Sequence, residues 1–165
     1  MNNKLELELL SLLEENAELS LGEMAKMLDT DEETVAATKK QLEEKKAILK
    51  YVAVVNREIV EENEAVEALI ELKVTPQRDF GYDDIAKRIY RYSEVKAVYL
   101  MAGSYDLAVR MESDNIKKIS KFVFEKLAVI DGVTSTQTVF IMRKYKENGV
   151  VLLPEEQEKR LVVTA

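Results

Sequence analysis

The sequence of 165 residues predicts an α+β chain in two parts, a helical N-terminal third followed by a βαββαβ body. Three observations carry that reading. Apolar residues recur at helical spacing through residue 46. Beyond it they give way to β-branched and aromatic runs bounded by turn residues. Two helical stretches then interrupt those runs, one after the second-part strand that begins at Ala65 and one after the third.

In LELELLSLLEEN, Leu5, Leu9, Leu12 and Leu13 fall at i, i+4, i+7 and i+8 and form one apolar face, with Glu6, Glu8, Glu14 and Glu15 mostly off it. This is a first helix. In SLGEMAKMLDT, Ser20 and Glu23 fit a capping box, the hydroxyl accepting from the third backbone N–H while the carboxylate reaches back. Leu21, Met24, Ala25 and Leu28 make the buried stripe of a short second helix. TDEE repeats the device, and Thr30 with Glu33 is predicted to open a third helix that buries Val35 and Leu42. AILKYVAVV then reads as a strand from its β-branched and aromatic content. Helix, helix, short turn, helix and strand outline a winged helix-turn-helix at residues 1–55, and the acidic stretch NREIVEENEAV supplies a linker over 56–64.

The body is predicted over 65–148. ALIELKVTP is a strand ended by Pro76, which has no N–H for a ladder. A helix from about Asp83 turns Ile85, Ile89 and Tyr92 inward. KAVYLMAG and YDLAVRME form a hairpin with Gly103 and Ser104 at its turn. SDNIKKISKFVFEKLAVIDG is a second helix with Ile116, Ile119, Phe122, Val123 and Leu127 inward and Gly132 as its stop, and VTSTQTVFIMRKY is the fourth strand. The order βαββαβ is that of a ferredoxin-like fold, a four-stranded antiparallel sheet with two helices on one face. VYLMA, YDLAVRM and TVFIM carry apolar residues at both parities, so the second face is expected to pair with another copy. The tail, 149–165, adds two apolar patches around Pro154 and a charged run that are expected to dock on the same assembly.

Composition excludes several functions. Apolar residues make up 47% of the chain, enough for a packed core, while the net charge of -7 supplies no overall attraction to polyanions. Any nucleic-acid contact must come from a local patch. The chain has no Cys and no His, so disulfides, thiolate metal sites and the commonest general base are absent. Asp83 and Asp84 pair at a helix N-terminus, where the dipole explains them. No enzyme activity, cofactor or metal is expected. The tyrosines of IYRYSEVKAVY lack a basic strand surface for stacking on nucleic acid, so Tyr90, Tyr92 and Tyr99 are assigned to core and interface, and KKISK to a solvated face. The acid-rich N-terminus has no signal-peptide core, and no apolar run approaches the roughly 18 residues of a membrane span. A soluble cytoplasmic protein without a membrane partner is expected.

The helical head, strand linker and βαββαβ body with MAGSYDLAV at the hairpin resemble the Lrp/AsnC family of feast/famine transcription regulators, over roughly Lys4 to Asn148. The most specific element is Gly103, Ser104, Tyr105 and Asp106 in order, supported by VTSTQTVFIM. The resemblance implies a ligand-responsive protein that binds double-stranded operator DNA. Its second domain would build homo-dimers and then octamers or similar rings, with amino acids bound between second domains. Carried over by position, the effector contacts are Gly103, Ser104, Tyr105 and Asp106 with Ser135, Thr136 and Thr138 on the last strand. Asp106 suits an ammonium, and hydroxyls with a glycine-exposed N–H suit a carboxylate. Read without the family, the same residues also describe a tight turn, its cap and good strand composition.

The DNA-reading positions carried over are Glu33, Ala36, Ala37 and Lys40 on the third helix and Lys50 on the wing. Residues 1–50 hold seven Lys, no Arg and twelve acids, a net of -5. Thr38 and Lys39 stand where the family usually has arginine and then isoleucine, and Lys46 where a glycine commonly precedes the wing. Two readings therefore stand. One is an effector-responsive regulator; the other is a ligand-sensing or partner-modulating oligomer with weak or lost DNA binding.

Overall fold

The computed structural model describes residues 3–59, 65–76 and 81–152. The chain divides into two compact units, Met1–Ala53 and Val54–Ala165. The first contains α1 (Asn3–Glu15), α2 (Leu21–Met27) and α3 (Glu32–Glu44). Leu9, Leu13, Met24, Ala25, Val35 and Leu42 form its core, as their helical spacing predicts. The Ser20 box is present: Ser20 Oγ accepts from the Glu23 N–H at 3.3 Å and Glu23 accepts from the Ser20 N–H at 2.8 Å.

The third helix starts differently from expectation. Its cap is Asp31, whose carboxylate accepts from the Thr34 N–H and hydroxyl, each at 2.7 Å, and not Thr30. The Thr30 N–H, which the predicted box would give to Glu33, instead closes α2 on Ala25 O at 3.0 Å, and the helix starts one residue later. Nor do residues 47–55 form the predicted wing strand. Leu49, Tyr51, Val52, Val54 and Val55 are exposed there, and β-propensity alone does not make a strand when no neighbouring strand takes the N–H and C=O groups.

The second unit runs β1 (Val66–Val74), α4 (Tyr82–Ile89), β2 (Val95–Leu100), β3 (Leu107–Ser113), α5 (Ile116–Phe122), a π turn over Val123–Leu127, and β4 (Val133–Ile141). The antiparallel sheet has the order β2-β3-β1-β4. This is the βαββαβ order read from the sequence. Ala68, Ile70, Leu72 and Val74 of β1 and Leu107, Val109 and Met111 of β3 are buried with Ile85, Ile89, Ile119, Phe122, Val123 and Leu127 of the helices. Tyr92 packs edge-on against Phe122 at 5.1 Å between ring centroids. Ile116, expected inward, is 53% exposed, because it lies in the first turn of α5 and Ile119 is the first residue to reach the core. Tyr90 and Tyr99 are also exposed.

The link between β2 and β3 is not a two-residue hairpin turn but the six residues 101–106. The Met101 N–H donates to Asp106 O at 2.8 Å and the Asp106 N–H to Leu72 O at 3.0 Å, which draws the end of the loop onto β1. After β4, β5 (Lys146–Glu147) and β6 (Val150–Val151) form a small hairpin, so the second unit continues past Asn148. Lys144 pairs with Glu67, Glu147 with Arg110 at 2.8 Å, and Asn56 donates to Leu152 O, which together fasten this hairpin to the body. The rest of the predicted tail, 153–165, and most of the predicted linker, 60–64, lie outside the described residues.

Candidate nucleic-acid and effector sites

On α3, Glu33, Ala37 and Lys40 fall at i, i+4 and i+7 and share the exposed face, while Ala36 is half-buried beside it. Thr38 points back along the helix, its hydroxyl donating to Thr34 O at 2.8 Å. The lysines are partly engaged within the unit. Lys40 pairs with Glu44 at 3.9 Å, Lys45 with Glu6 at 2.9 Å, and the Lys39 ammonium sits 5.0 Å from the centre of the Tyr51 ring. Tyr51 in turn donates to Glu43 at 2.9 Å. Removal of its hydroxyl from water and the Glu43 carboxylate together push the Tyr51 phenol up to about 12. Lys50 is exposed in the irregular segment after α3. Part of the acid at the helix start is structural, since Asp31 is a cap and the Thr34 N–H and hydroxyl hold its carboxyl below the usual range.

In the second unit, strand alternation sorts the residues by face. Ser135 lies opposite Lys73 on the sheet's open face, whereas Thr136 and Thr138 lie opposite the buried Leu72 and Ile70 and face the helical layer. The seven effector positions are therefore not all on one surface. Gly103, Ser104, Tyr105, Asp106 and Ser135 gather at one end of the open face, and Thr136 and Thr138 sit behind it.

That open face is banded. At the end near the 101–106 loop it is polar, with Lys73 and Ser135 opposite each other and Glu71 and Gln137 the next pair. Its middle carries Leu69 and Val139, the latter 44% exposed, while Tyr99, 50% exposed, stands on β2 in the row of Ala108, Glu71 and Gln137. At the far end Glu67, buried at 4% exposure, meets Arg110 at 3.5 Å and Lys144 under the C-terminal hairpin. Arg110 and then Lys144 hold the Glu147 carboxyl there below its usual range.

At the polar end, Asp106 is already engaged. Its carboxylate accepts from the Val74 N–H at 2.8 Å and from the Lys73 ammonium at 3.3 Å, and the Val74 N–H is the main reason its acidity is strengthened. Tyr105 donates to Gln137 Oε1 at 2.8 Å. Because β1 lies between β3 and β4, that bond carries the phenol across β1 at the level of Glu71 and Lys73. Gly103 has nothing within 4 Å of where a Cβ would stand, so neither crowding nor a left-handed backbone requires glycine there. Sequence reasoning missed Glu71, Lys73 and Gln137. Their signal was available in ALIELKVTP, where Glu and Lys two apart share the parity opposite to the apolar set.

Among the described residues no helix is long and apolar enough to cross a membrane, and no group of three or more acids is placed to hold a metal ion. The family model of the Lrp/AsnC ligand binding domain matches residues 67–151. An uncharacterized HTH-type transcriptional regulator of Bacillus subtilis, YugG, is 41% identical over 159 residues, covering 96% of this chain and 96% of that protein. The HTH-type transcriptional regulator FL11 of Pyrococcus furiosus is 29% identical over 140 residues, covering 85% of this chain and 89% of that one. Solved structures share the fold, two of them as follows. The transcriptional regulator of Neisseria meningitidis, determined in complex with L-Met, has a TM-score of 0.69 at 23% identity and covers 93% of this chain and 97% of that one. AsnC of E. coli has a TM-score of 0.66 at 19% identity, covering 89% and 96%. The relatives are transcriptional regulators, proteins that bind rather than catalyse. With more than half of its length matched by that ligand binding domain and with a relative at 41% identity along almost all of it, the chain belongs to the Lrp/AsnC family.

Proposed function

We propose that this protein is a cytoplasmic DNA-binding transcriptional regulator whose assembly responds to an amino acid or a similar small metabolite. The observation that supports it most is the 41% identity to an HTH-type regulator over 159 residues, which takes in both units. In this reading α2, the turn at Asp29 and α3 are the helix-turn-helix, presenting Glu33, Ala37 and Lys40 to the major groove, with Ala36 allowing close approach and Lys50 reaching phosphate. The ferredoxin-like body pairs through the apolar band of its open face into a dimer and then a higher oligomer such as an octamer. The effector sits at the polar end of that face against Gly103, Ser104, Tyr105 and Ser135, with Asp106, Thr136 and Thr138 supporting the strands around it. The fold neighbour solved with L-Met supports an amino acid as the class. Effector bound between bodies shifts the balance of oligomers by its differential affinity for them, and with it the spacing of the DNA-reading heads.

A second reading is favoured by the charge on the first unit. Four of its lysines are engaged within the unit by Glu8, Glu44, Tyr51 and Glu6, and residues 1–50 are net -5. In that case the oligomer senses ligand or joins a related regulator, and its head is structural. Multivalency weighs against this, because several weak heads on one DNA segment raise effective concentration. Sedimentation velocity of the full chain, with and without each proteinogenic amino acid, tests the main reading. One or a few amino acids are expected to redistribute the oligomers; an unchanged distribution with all of them overturns the effector claim.

A further inference from the structure

Two carboxylates stand at the polar end of the open face, and only one is free. Asp106 is fixed through its side chain by the Val74 N–H and the Lys73 ammonium, and through its own N–H by Leu72 O at 3.0 Å. Turning that carboxylate to a ligand would orphan the Val74 N–H and release the lysine, a cost that any ligand contact must first offset. Glu71 differs in every respect. It lies in the middle of β1, half-buried, between Ala108 on one neighbouring strand and Gln137 on the other, and it makes no hydrogen bond or ion pair among the described residues. Ala108, itself 3% exposed, is its neighbour on one side. The Tyr105 phenol, donating to Gln137 at 2.8 Å, crosses β1 beside it.

Lys73, two residues along on the same face, is paired with Asp106 and so does not neutralise Glu71. The open end therefore presents a carboxylate with no ion pair among the described residues and, about 7 Å along the strand, an ammonium on a side chain that is 45% exposed. A zwitterion matches that order of charges, its ammonium on Glu71 and its carboxylate towards Lys73, Ser135 and the N–H groups of the 101–106 loop. An anionic or uncharged metabolite leaves Glu71 unpaired.

Resting on the effector reading above, we infer that Glu71 contacts the ammonium of a zwitterionic α-amino acid, and that Asp106 is a positioning residue holding the loop and Lys73 in place. The sequence reading gave the ammonium to Asp106; the geometry points to its neighbour on β1.

The test uses the full chain as wild type, Glu71→Gln, Asp106→Asn and Asp106→Ala. The probes are the proteinogenic L-amino acid that stabilises wild type most and the matching α-hydroxy acid, which lacks the ammonium. Wild type is expected to prefer the amino acid by about tenfold or more, the range of one charge-assisted hydrogen bond. Glu71→Gln is expected to erase that preference with its unliganded melting temperature unchanged. Asp106→Asn keeps an acceptor for Val74 and is expected to retain the preference, while Asp106→Ala lowers the unliganded melting temperature. A Glu71→Gln protein that still discriminates the two probes overturns the inference, as does an Asp106→Asn protein that folds normally but no longer discriminates. If no amino acid stabilises wild type, the effector reading itself fails, which is a different result from either.

Discussion

Lys46 shows how much local backbone decides. It has φ of 61° and closes α3 in a Schellman pattern, the Ala47 N–H reaching Leu42 O at 2.9 Å and the Lys46 N–H reaching Glu43 O at 3.1 Å. A side chain at that left-handed position is strained, and glycine is the residue that relieves it. Lys46→Gly is predicted to stabilise the protein by about 0.5–1 kcal/mol, less than the full strain because glycine also loosens the unfolded chain. A higher denaturant midpoint at unchanged slope is the expected readout; a lower midpoint contradicts the left-handed closure. Tyr51 gives a pH prediction. Its folded value, about 12, is above the ordinary 10, so the fold favours the protonated phenol. The sign follows: that stability is fully present below about pH 10 and is lost as pH rises through about 12. Glu43→Gln removes the carboxylate's contribution and is predicted to bring one phenolate transition to lower pH in an ultraviolet titration. An unmoved curve would place Tyr51 away from Glu43 in solution.

At the scale of elements, what the sequence disclosed was what depends on near neighbours. The Ser20 box, the buried stripes of α1 to α5 and the βαββαβ order all follow from spacing within a dozen residues. What it hid depends on distant ones. AILKYVAVV has strand composition but no partner strand among the described residues, and Thr30 looks like the opening of a capping box until its N–H is found closing the previous helix. The candidate site was half legible for the same reason. The Gly103 to Asp106 run stood out as a string, while the faces of Thr136, Thr138, Glu71 and Lys73 required the β1 to β4 register. Glycines divide along the same line. Gly132 has φ of 89°, and an added Cβ would stand 3.1 Å from Thr75 O and 3.3 Å from the Ile85 Cδ1 atom. Gly132→Ala is predicted to cost about 1–3 kcal/mol in chemical denaturation, and Gly103→Ala, with open space around it, less than about 0.5 kcal/mol. Equal effects at the two glycines would contradict the structure of the strand entry at β4.

Across the whole molecule, family membership and electrostatics pull in opposite directions. The relatives are HTH-type transcriptional regulators by name, yet this chain carries a net charge of -7 and its first fifty residues contain no arginine. Affinity for DNA grows with the number of phosphates neutralised, so under the proposed reading a head whose Lys40 already pairs with Glu44 at 3.9 Å would depend on assembly to multiply weak contacts. The most direct measurement is a fluorescence-anisotropy titration of the full chain, wild type and Lys40→Glu, against its own upstream DNA at two salt concentrations. Wild type is predicted to bind selectively and to weaken steeply with salt, and Lys40→Glu to bind less tightly with a salt slope flatter by about one phosphate. No binding at low salt, with or without amino acids, would contradict DNA reading by this protein and leave a ligand-sensing oligomer in its place.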